Sequence, residues 1–496
     1  MALRWQIGLC SLIVMMLSVL VALGPLESIP HITDEIAYTL QARLFAAGLR
    51  TGPPGDDIAL MSFPFWVIQP QTFSPFPPGW PMLLAVGERP GVPWLVNPLL
   101  AGALPPLCWL LAREWTSEPA ARLSALVIAL SPGIWVLSAS RMSHTSVLLG
   151  LLVAAVVVTR GRDGLWAWAV AGLALAYVTL ARPFDGVLFG GALLLAAFWK
   201  APTQSAWAVM TGLAALGALG ILADNFVLTG DPLHFAMSDY LDAIARPGCN
   251  RLGFGSDVGC HPTFETLGHT PVKALRIAAE SAMRLDRLLL GIPGALLLVL
   301  LGAWRLRRWE PMVMIGLVVV CYGLYWSPGR ALGARFWHPA YPAVVILLAT
   351  GLLSLTRRFA PLVVLGAAVA GGSAVILDLS DRLWCVDSRL VEALDAAGFT
   401  EGVVFIQGAG LREMDWPTLS VTGFRCTPLL EAGDGFHAQD PLGGGVQFRH
   451  ALPDAESTWN YLSLHHPGSP AILVTHDVAL DERTLIPLVP HTPPEP

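Results

Sequence analysis

The chain has 496 residues, of which 54% are hydrophobic and only 13% charged, with a formal net charge of −6 and a mean hydropathy of +0.59. Soluble domains carry about 25% charged residues, and these apolar residues fall in blocks of the roughly 20 needed to cross a bilayer. An ordinary soluble enzyme is therefore excluded, and the lack of a basic tail removes a nucleic-acid reading. The first apolar block, Ile7 to Leu23, follows a lone Arg4 and shows no small-x-small cleavage site. It is expected to be an uncleaved first helix rather than a signal peptide. Hydropathy predicts about eleven spans, near residues 5–24, 93–112, 119–138, 143–159, 165–181, 184–199, 205–228, 287–303, 311–326, 337–355 and 360–378. With the N-terminus in the cytoplasm, the inside connections carry Arg113 and Arg122, then Arg160 and Arg162, Lys200, then Arg305, Arg307 and Arg308, and finally Arg357 and Arg358. Lys and Arg collect in short cytoplasmic loops, so this orientation is the expected one.

Three stretches then lie outside: Pro25 to about Val92, Thr229 to about Asp286, and about Leu379 to Pro496. The chain divides into a membrane domain, 1–378, and an extracytoplasmic domain, 379–496. The tail has a helix-like run, Ser388 to Ala397, and two strand-like runs, Gly402–Gly408 and Ala471–Thr475. A small α/β domain is expected, ending in a disordered Pro-rich segment from His491 to Pro496. Cys10, Cys108 and Cys321 fall inside spans. Cys249 with Cys260, and Cys385 with Cys426, form two even pairs outside, which suggests two disulfides in an oxidising compartment; four free thiols are the alternative.

The first outside loop opens with His31-Ile-Thr-Asp34-Glu35-Ile-Ala-Tyr38. Tyr38, Ala42, Phe45, Ala46 and Leu49 then follow at helical spacing. The acidic pair is expected at the start of an amphipathic helix on the membrane surface, with Thr33 or Asp34 as N-cap. In the plainer reading Asp34 only caps the helix and Glu35 favours its positive end. Three further outside connections are basic: Arg141 and His144 near 140, Arg182-Pro-Phe-Asp185 near 182, and Ser327 to Pro339 with Arg330, Arg335 and His338. Ionisable residues at the membrane rim are costly and tend to be functional. Arginines clustered there suit a phosphate group, although they could instead snorkel to lipid headgroups. The segment Pro77-Pro78-Gly79-Trp80-Pro81 cannot cross lipid unsupported; it predicts an irregular turn into a short interfacial helix, with Trp80 at headgroup level. His261 and His269 match no standard metal spacing and are expected to be solvated loop residues.

These residues together resemble the GT-C class of membrane glycosyltransferases, in particular polyprenyl-phosphate-sugar-dependent enzymes such as protein O-mannosyltransferases and lipid A aminoarabinose transferases. The likeness rests on Asp34-Glu35 with Tyr38, on Pro77-Pro78-Gly79-Trp80-Pro81, on Thr229-Gly-Asp-Pro232 after Asn225, and on Arg335-Phe-Trp-His-Pro339 with Tyr341-Pro342. It covers roughly residues 1–355. A segment from Arg251-Leu-Gly-Phe-Gly255 to Gly268-His-Thr-Pro271 is similar to uncharacterised bacterial members.

The resemblance implies a polytopic α-helical protein of the bacterial inner membrane, with a small C-terminal α/β domain. It implies transfer of a sugar from a polyprenyl-phosphate donor to an extracytoplasmic hydroxyl of a lipid, glycan or protein acceptor. Asp34 would be the general base, with Glu35 beside it. Arg335, helped by Arg182 or Arg330, would hold the phosphate, and Tyr38, Arg141, His144 and His338 would complete the substrate site. A phosphate leaves as a stable anion, so one base and a cationic clamp suffice, with inversion, where a hydrolase needs a second carboxyl group. Metal use varies in the class, so a divalent cation stays open. A transporter would place ionisable groups at the bilayer midplane, where this chain has almost none; a non-catalytic scaffold presenting the C-terminal domain is the other alternative.

Overall fold

The computed structural model describes residues 2–55, 58–161, 164–260, 268–380, 386–407, 433–452, 455–477 and 482–488. Each of the eleven apolar stretches is helical, and the protein is a multi-pass membrane protein. Among the described residues, six helices are each long and apolar enough to cross a bilayer: Trp5–Leu23, Pro93–Trp115, Pro183–Lys200, Gln204–Thr229, Arg335–Leu355 and Ala360–Leu379. His144–Arg160, Leu165–Ala181 and Glu310–Gly323 are shorter.

Two stretches are bent pairs. Glu118–Leu130 meets Pro132–Ala139 at 46°, because proline at 132 removes a backbone donor and crowds the preceding turn. The stretch expected at 287–303 is not one straight span. A helix runs from Pro271 to Leu290 and turns by 91° into Ala295–Leu306. Gly291 and Gly294 hold positive φ values of 77° and 98° at the corner, a region glycine enters without steric cost. Asp286 caps the second helix, accepting from the N–H groups of Gly294 (2.7 Å) and Leu296 (2.6 Å). The Pro271–Leu290 helix was hidden in the expected second loop because its polar residues lower the mean hydropathy.

The ends of the bundle differ. His144 and Arg160 lie at opposite ends of one 17-residue helix. At the Arg160 end, Gly161 packs against the backbone carbonyl of Lys200, bringing two basic connections together.

The Thr33–Ala46 helix departs from expectation. It presents no broad exposed polar face, because eleven of its fourteen residues are buried. One side, Ile36, Leu40 and Leu44, packs with Phe63, Trp66, Ile68, Val386 and Phe436. Another side, Tyr38 and Ala42, packs with Trp80 and Leu84. Covering both sides is why the apolar spacing continues around the helix. Neither Thr33 nor Asp34 is its N-cap; Ile32 holds that position, and Glu35 accepts its N–H at 3.1 Å. Trp80 is enclosed by protein. It is 1% exposed and donates its indole N–H to the carbonyl of Arg141 at 2.7 Å, so its polar edge is satisfied by protein rather than by the interface. Gly79 is required beside it, since a Cβ there would sit 2.6 Å from the backbone at Leu180 and Ala181.

The C-terminal part forms a four-stranded sheet, β1 (Gly402–Gln407), β2 (Val446–His450), β3 (Ala471–Asp477) and β4 (Glu482–Pro487), in the order β2-β1-β3-β4. β1 is parallel to β2 and β3, and β4 is antiparallel to β3. The expected helix is present as Arg389–Ala396, and β1 and β3 stand where strands were expected. β2 and β4 were not foreseen, as each mixes polar and apolar residues without clear alternation. The sheet is tied to the first long loop: His450 donates from Nε2 to Ser62 O at 2.6 Å, Phe436 stacks on Phe63 at 5.2 Å, and Arg43 donates to Gln439 O at 2.6 Å.

Cys249 and Cys260 form a disulfide, with Cα atoms 5.1 Å apart. Cys385, Cys426, His261 and the 491–496 end lie outside the described residues. His269 is not solvated: it is 1% exposed, donates from Nε2 to Gly323 O at 2.9 Å, and stacks on Phe254.

Candidate active site

The Asp34-Glu35 pair starts a buried helix, and the two carboxylates face different partners. Glu35 accepts three backbone N–H groups, from His31 (3.0 Å), Ile32 (3.1 Å) and Arg141 (2.6 Å). It thereby joins the helix start to the turn before His144. Asn97 braces the same turn through Ser140 O and Met142 O, each at 2.7 Å, and Trp80 through Arg141 O. Asp34 instead meets Arg335, whose Nη1 donates to Oδ2 at 2.5 Å. Both side chains are nearly buried, 12% and 13% exposed. Gly333, at a φ of 89°, turns the chain into the short Arg335–Ala340 helix that presents this arginine.

A second cluster stands beside the first. Arg182 donates to Asp185 Oδ2 (2.5 Å), to His144 Nε2 (3.0 Å) and to Tyr322 Oη (3.1 Å), while Tyr322 donates to Asp185 Oδ1 at 2.6 Å. Because His144 Nε2 accepts, its ring is neutral and carries its proton on Nδ1. The Phe336 ring couples the clusters, with the guanidinium carbons of Arg182 and Arg335 at 5.5 and 5.3 Å from its centroid. Such cation–π contacts fix a guanidinium without consuming its hydrogen-bond donors. Tyr322 stacks on Phe336 at 5.0 Å.

Tyr38 touches both electrostatic fields. Burial pushes its phenol up to about 12, with Asp34 adding to the rise and Arg182 and Arg335 opposing it. It stays protonated and can only donate or accept as a neutral hydroxyl. Arg141 is buried at the helix start, donating to Thr39 Oγ1 (3.1 Å) and Ser28 O (2.5 Å). Burial lowers its guanidinium to about 10, which leaves it charged at neutral pH. His338 is buried, its ring 6.4 Å from His144 and 5.4 Å from Tyr341.

Buried polar atoms without a hydrogen-bond partner in this region include His144 Nδ1, His338 Nε2, Arg335 Nε and Arg141 Nε. At least three of them are donors, and leaving buried donors unmade is costly. Donors without acceptors, next to two arginines, suit an oxyanion.

Of the residues expected from the sequence, Asp34, Glu35, Tyr38, Arg141, His144, Arg182, Arg335 and His338 come together. Arg330 goes elsewhere: its Nε meets Glu280 Oε2 at 3.0 Å, and its carbonyl accepts from Arg284. Asp185, Tyr322 and Phe336 were missed as site residues. Asp185 was visible beside Arg182, whereas Tyr322 gives no sequence signal, being an aromatic at the end of an apolar helix. Among the described residues no group of three or more His, Cys, Asp and Glu is arranged to hold a metal.

No family model matches the chain, and no curated protein matches it by sequence. Solved structures do. ArnT from Cupriavidus metallidurans in the apo state aligns over 96% of this chain and 94% of its own, at 13% identity and a TM-score of 0.57. The same protein bound to undecaprenyl phosphate aligns over 89% and 77%, at 14% identity and a TM-score of 0.47. An Archaeoglobus fulgidus oligosaccharyltransferase tethered to an acceptor peptide aligns over 86% and 64%, at 11% identity and a TM-score of 0.42. The first of these likenesses spans nearly the whole chain and shows that the protein has the fold of ArnT.

Proposed function

We propose that the protein is an inverting membrane glycosyltransferase that moves a sugar from a polyprenyl-phosphate donor to an acceptor hydroxyl. The observation that carries this reading is the buried Asp34–Arg335 pair, bordered by donors that lack acceptors. The fold of ArnT, a lipid A aminoarabinose transferase, agrees with it.

In the free protein Arg335 occupies Asp34. A donor phosphate reaching Arg335 takes over that guanidinium, with Arg182 beside it on the other contact of Phe336. His144 Nδ1 supplies a further N–H. Asp34, released from its ion pair, takes the proton of the acceptor hydroxyl. The hydroxyl oxygen bonds to the anomeric carbon, the bond from that carbon to the phosphate oxygen breaks, and its electron pair leaves on the polyprenyl phosphate. The cationic clamp gains strength as charge grows on the leaving oxygen, which is the differential binding that lowers a barrier. Tyr38, on the Asp34 side, is a neutral hydroxyl that can orient the acceptor. Glu35, with both oxygens occupied by backbone N–H groups, is a positioning residue.

The basic connections at the end away from Asp34 support an orientation with Arg160, Lys200 and Arg357 in the cytoplasm. The site and the region from 379 onward, as a separate domain, then lie outside a bacterial inner membrane. Asp34→Asn tests the chemistry. It should insert normally yet lose about 10²–10⁴-fold in turnover, the range supplied by a general base, in vesicles loaded with a polyprenyl-phosphate sugar. Full activity of this variant would sink the assignment.

A further inference from the structure

A cavity of ≈ 590 Å³ is bounded by residues of the 62–73 segment of the first long loop, by the Ala236–Ile244 helix and by His450 of β2. This is within the size range of small-molecule sites, roughly 300–1,000 Å³. The walls are mostly apolar, with Val67, Ile68, Leu228 and Ile244 among them, and they also carry the rings of Trp66 and Tyr240, the carboxamides of Gln69 and Gln71, and the carboxylate of Asp239. Rings offer flat apolar faces to C–H groups, and carboxamides and a carboxylate match the donors and acceptors of hydroxyl groups. Among the described residues no Lys or Arg lines the cavity. Burial lowers the pKa of His450, and the Asp239 carboxylate is engaged by His234 Nε2 at 2.5 Å. A phosphate- or carboxylate-bearing molecule would find no Lys or Arg there, the side chains that bind such groups most strongly.

A run of rings leads from the cavity to the reacting groups. Tyr240 accepts the N–H of Phe65 at 2.7 Å and packs on its ring at 5.5 Å. Phe65 contacts Phe76 at 4.9 Å, and Phe76 contacts Tyr38 at 4.6 Å, one helical turn from Asp34. Burial raises the phenol of Tyr240, with Asp34 adding to the rise.

We infer that this cavity is the acceptor subsite and that it takes a neutral glycan, one of whose hydroxyls reaches Asp34 past Tyr38. The inference rests on the glycosyltransferase reading and specifies its acceptor class. Among the outcomes below, a phosphorylated lipid or a protein stands for the other acceptor chemistries.

The test places a benzophenone amino acid at Gln71 in the full chain, irradiates native membranes, and identifies the adduct by mass spectrometry. A neutral carbohydrate adduct is expected, and Ala243→Trp, which fills the cavity from the opposite wall, should reduce its yield by about tenfold or more. A phosphorylated lipid, a protein, or no adduct overturns the proposal, as does an adduct untouched by Ala243→Trp. The Asp34→Asn assay keeps the two readings separable. If that variant is inactive and the adduct is not a neutral glycan, the acceptor assignment alone falls. If that variant is fully active, the glycosyltransferase reading falls whatever is captured.

Discussion

Asp34 and Glu35 are adjacent acids on one helix turn, yet one meets an arginine side chain and the other meets three backbone N–H groups. Replacing Glu35 by Gln keeps the shape but exchanges charge-assisted bonds for neutral ones. A hydrogen bond to a charged group is worth about 1.5–3 kcal/mol, so the variant should lose stability of that order, read as a lower melting temperature in detergent. Its activity should fall through misplacement of the 140 turn, not through loss of a base. Arg335→Lys separates charge from geometry. Lysine keeps the positive charge but loses the planar fork and its contact with Phe336. The expected result is a raised donor KM with turnover at saturation reduced less; an unchanged donor saturation curve would remove Arg335 from the phosphate site.

The elements around the site are fastened by few contacts. β2 reaches the first long loop through His450, whose Nε2–H donates to Ser62 O and whose ring lies 5.3 Å from Phe436. Burial depresses the imidazole pKa below its ordinary value of about 6.5. The unfolded or undocked chain therefore binds the proton first, and stability rises with pH in that window. The stabilisation from burying the neutral ring is fully present above about 6.5 and is lost as pH falls through the depressed native value. Corrected for the intrinsic pH dependence of amide exchange, protection of the 62–68 segment should fall between about pH 7 and 5, and His450→Gln should flatten that dependence; an equal slope in the variant would clear His450 of the effect. The Thr33–Ala46 helix shows what the element scale adds. Its apolar residues continue around the helix because the membrane bundle packs on one side and Phe436 on another. Read alone, the same pattern resembles a surface helix, and only the partner surfaces distinguish the two.

For the whole molecule, the asymmetry of charge is the organising feature. Arg160 and Lys200 lie together at one end of the bundle, and the Asp34–Arg335 pair lies at the other. Cysteine accessibility tests the orientation. In spheroplasts, Glu401→Cys should react with a membrane-impermeant maleimide at once, and Arg357→Cys only after permeabilisation. The reverse pattern would put the site in the cytoplasm. The Cys249–Cys260 disulfide agrees with an oxidising compartment on the Asp34 side.

The sequence by itself determined the class of the molecule. Membrane insertion, the positions of the apolar helices and the side on which acids and arginines collect all follow from local hydropathy and short-loop charge. It also marked Asp34, Arg182 and Arg335 as neighbours of one rim. It left the amphipathic Pro271–Leu290 helix, β2 and β4 unread, because their local patterns are mixed. Only the tertiary structure decided which cation serves which acid. Arg335 crosses to Asp34 over 301 positions of chain, while Arg330, five residues earlier, turns to Glu280. Such pairings are set by how helices pack and where glycine turns aim the chain, and nothing in the local sequence carries that information.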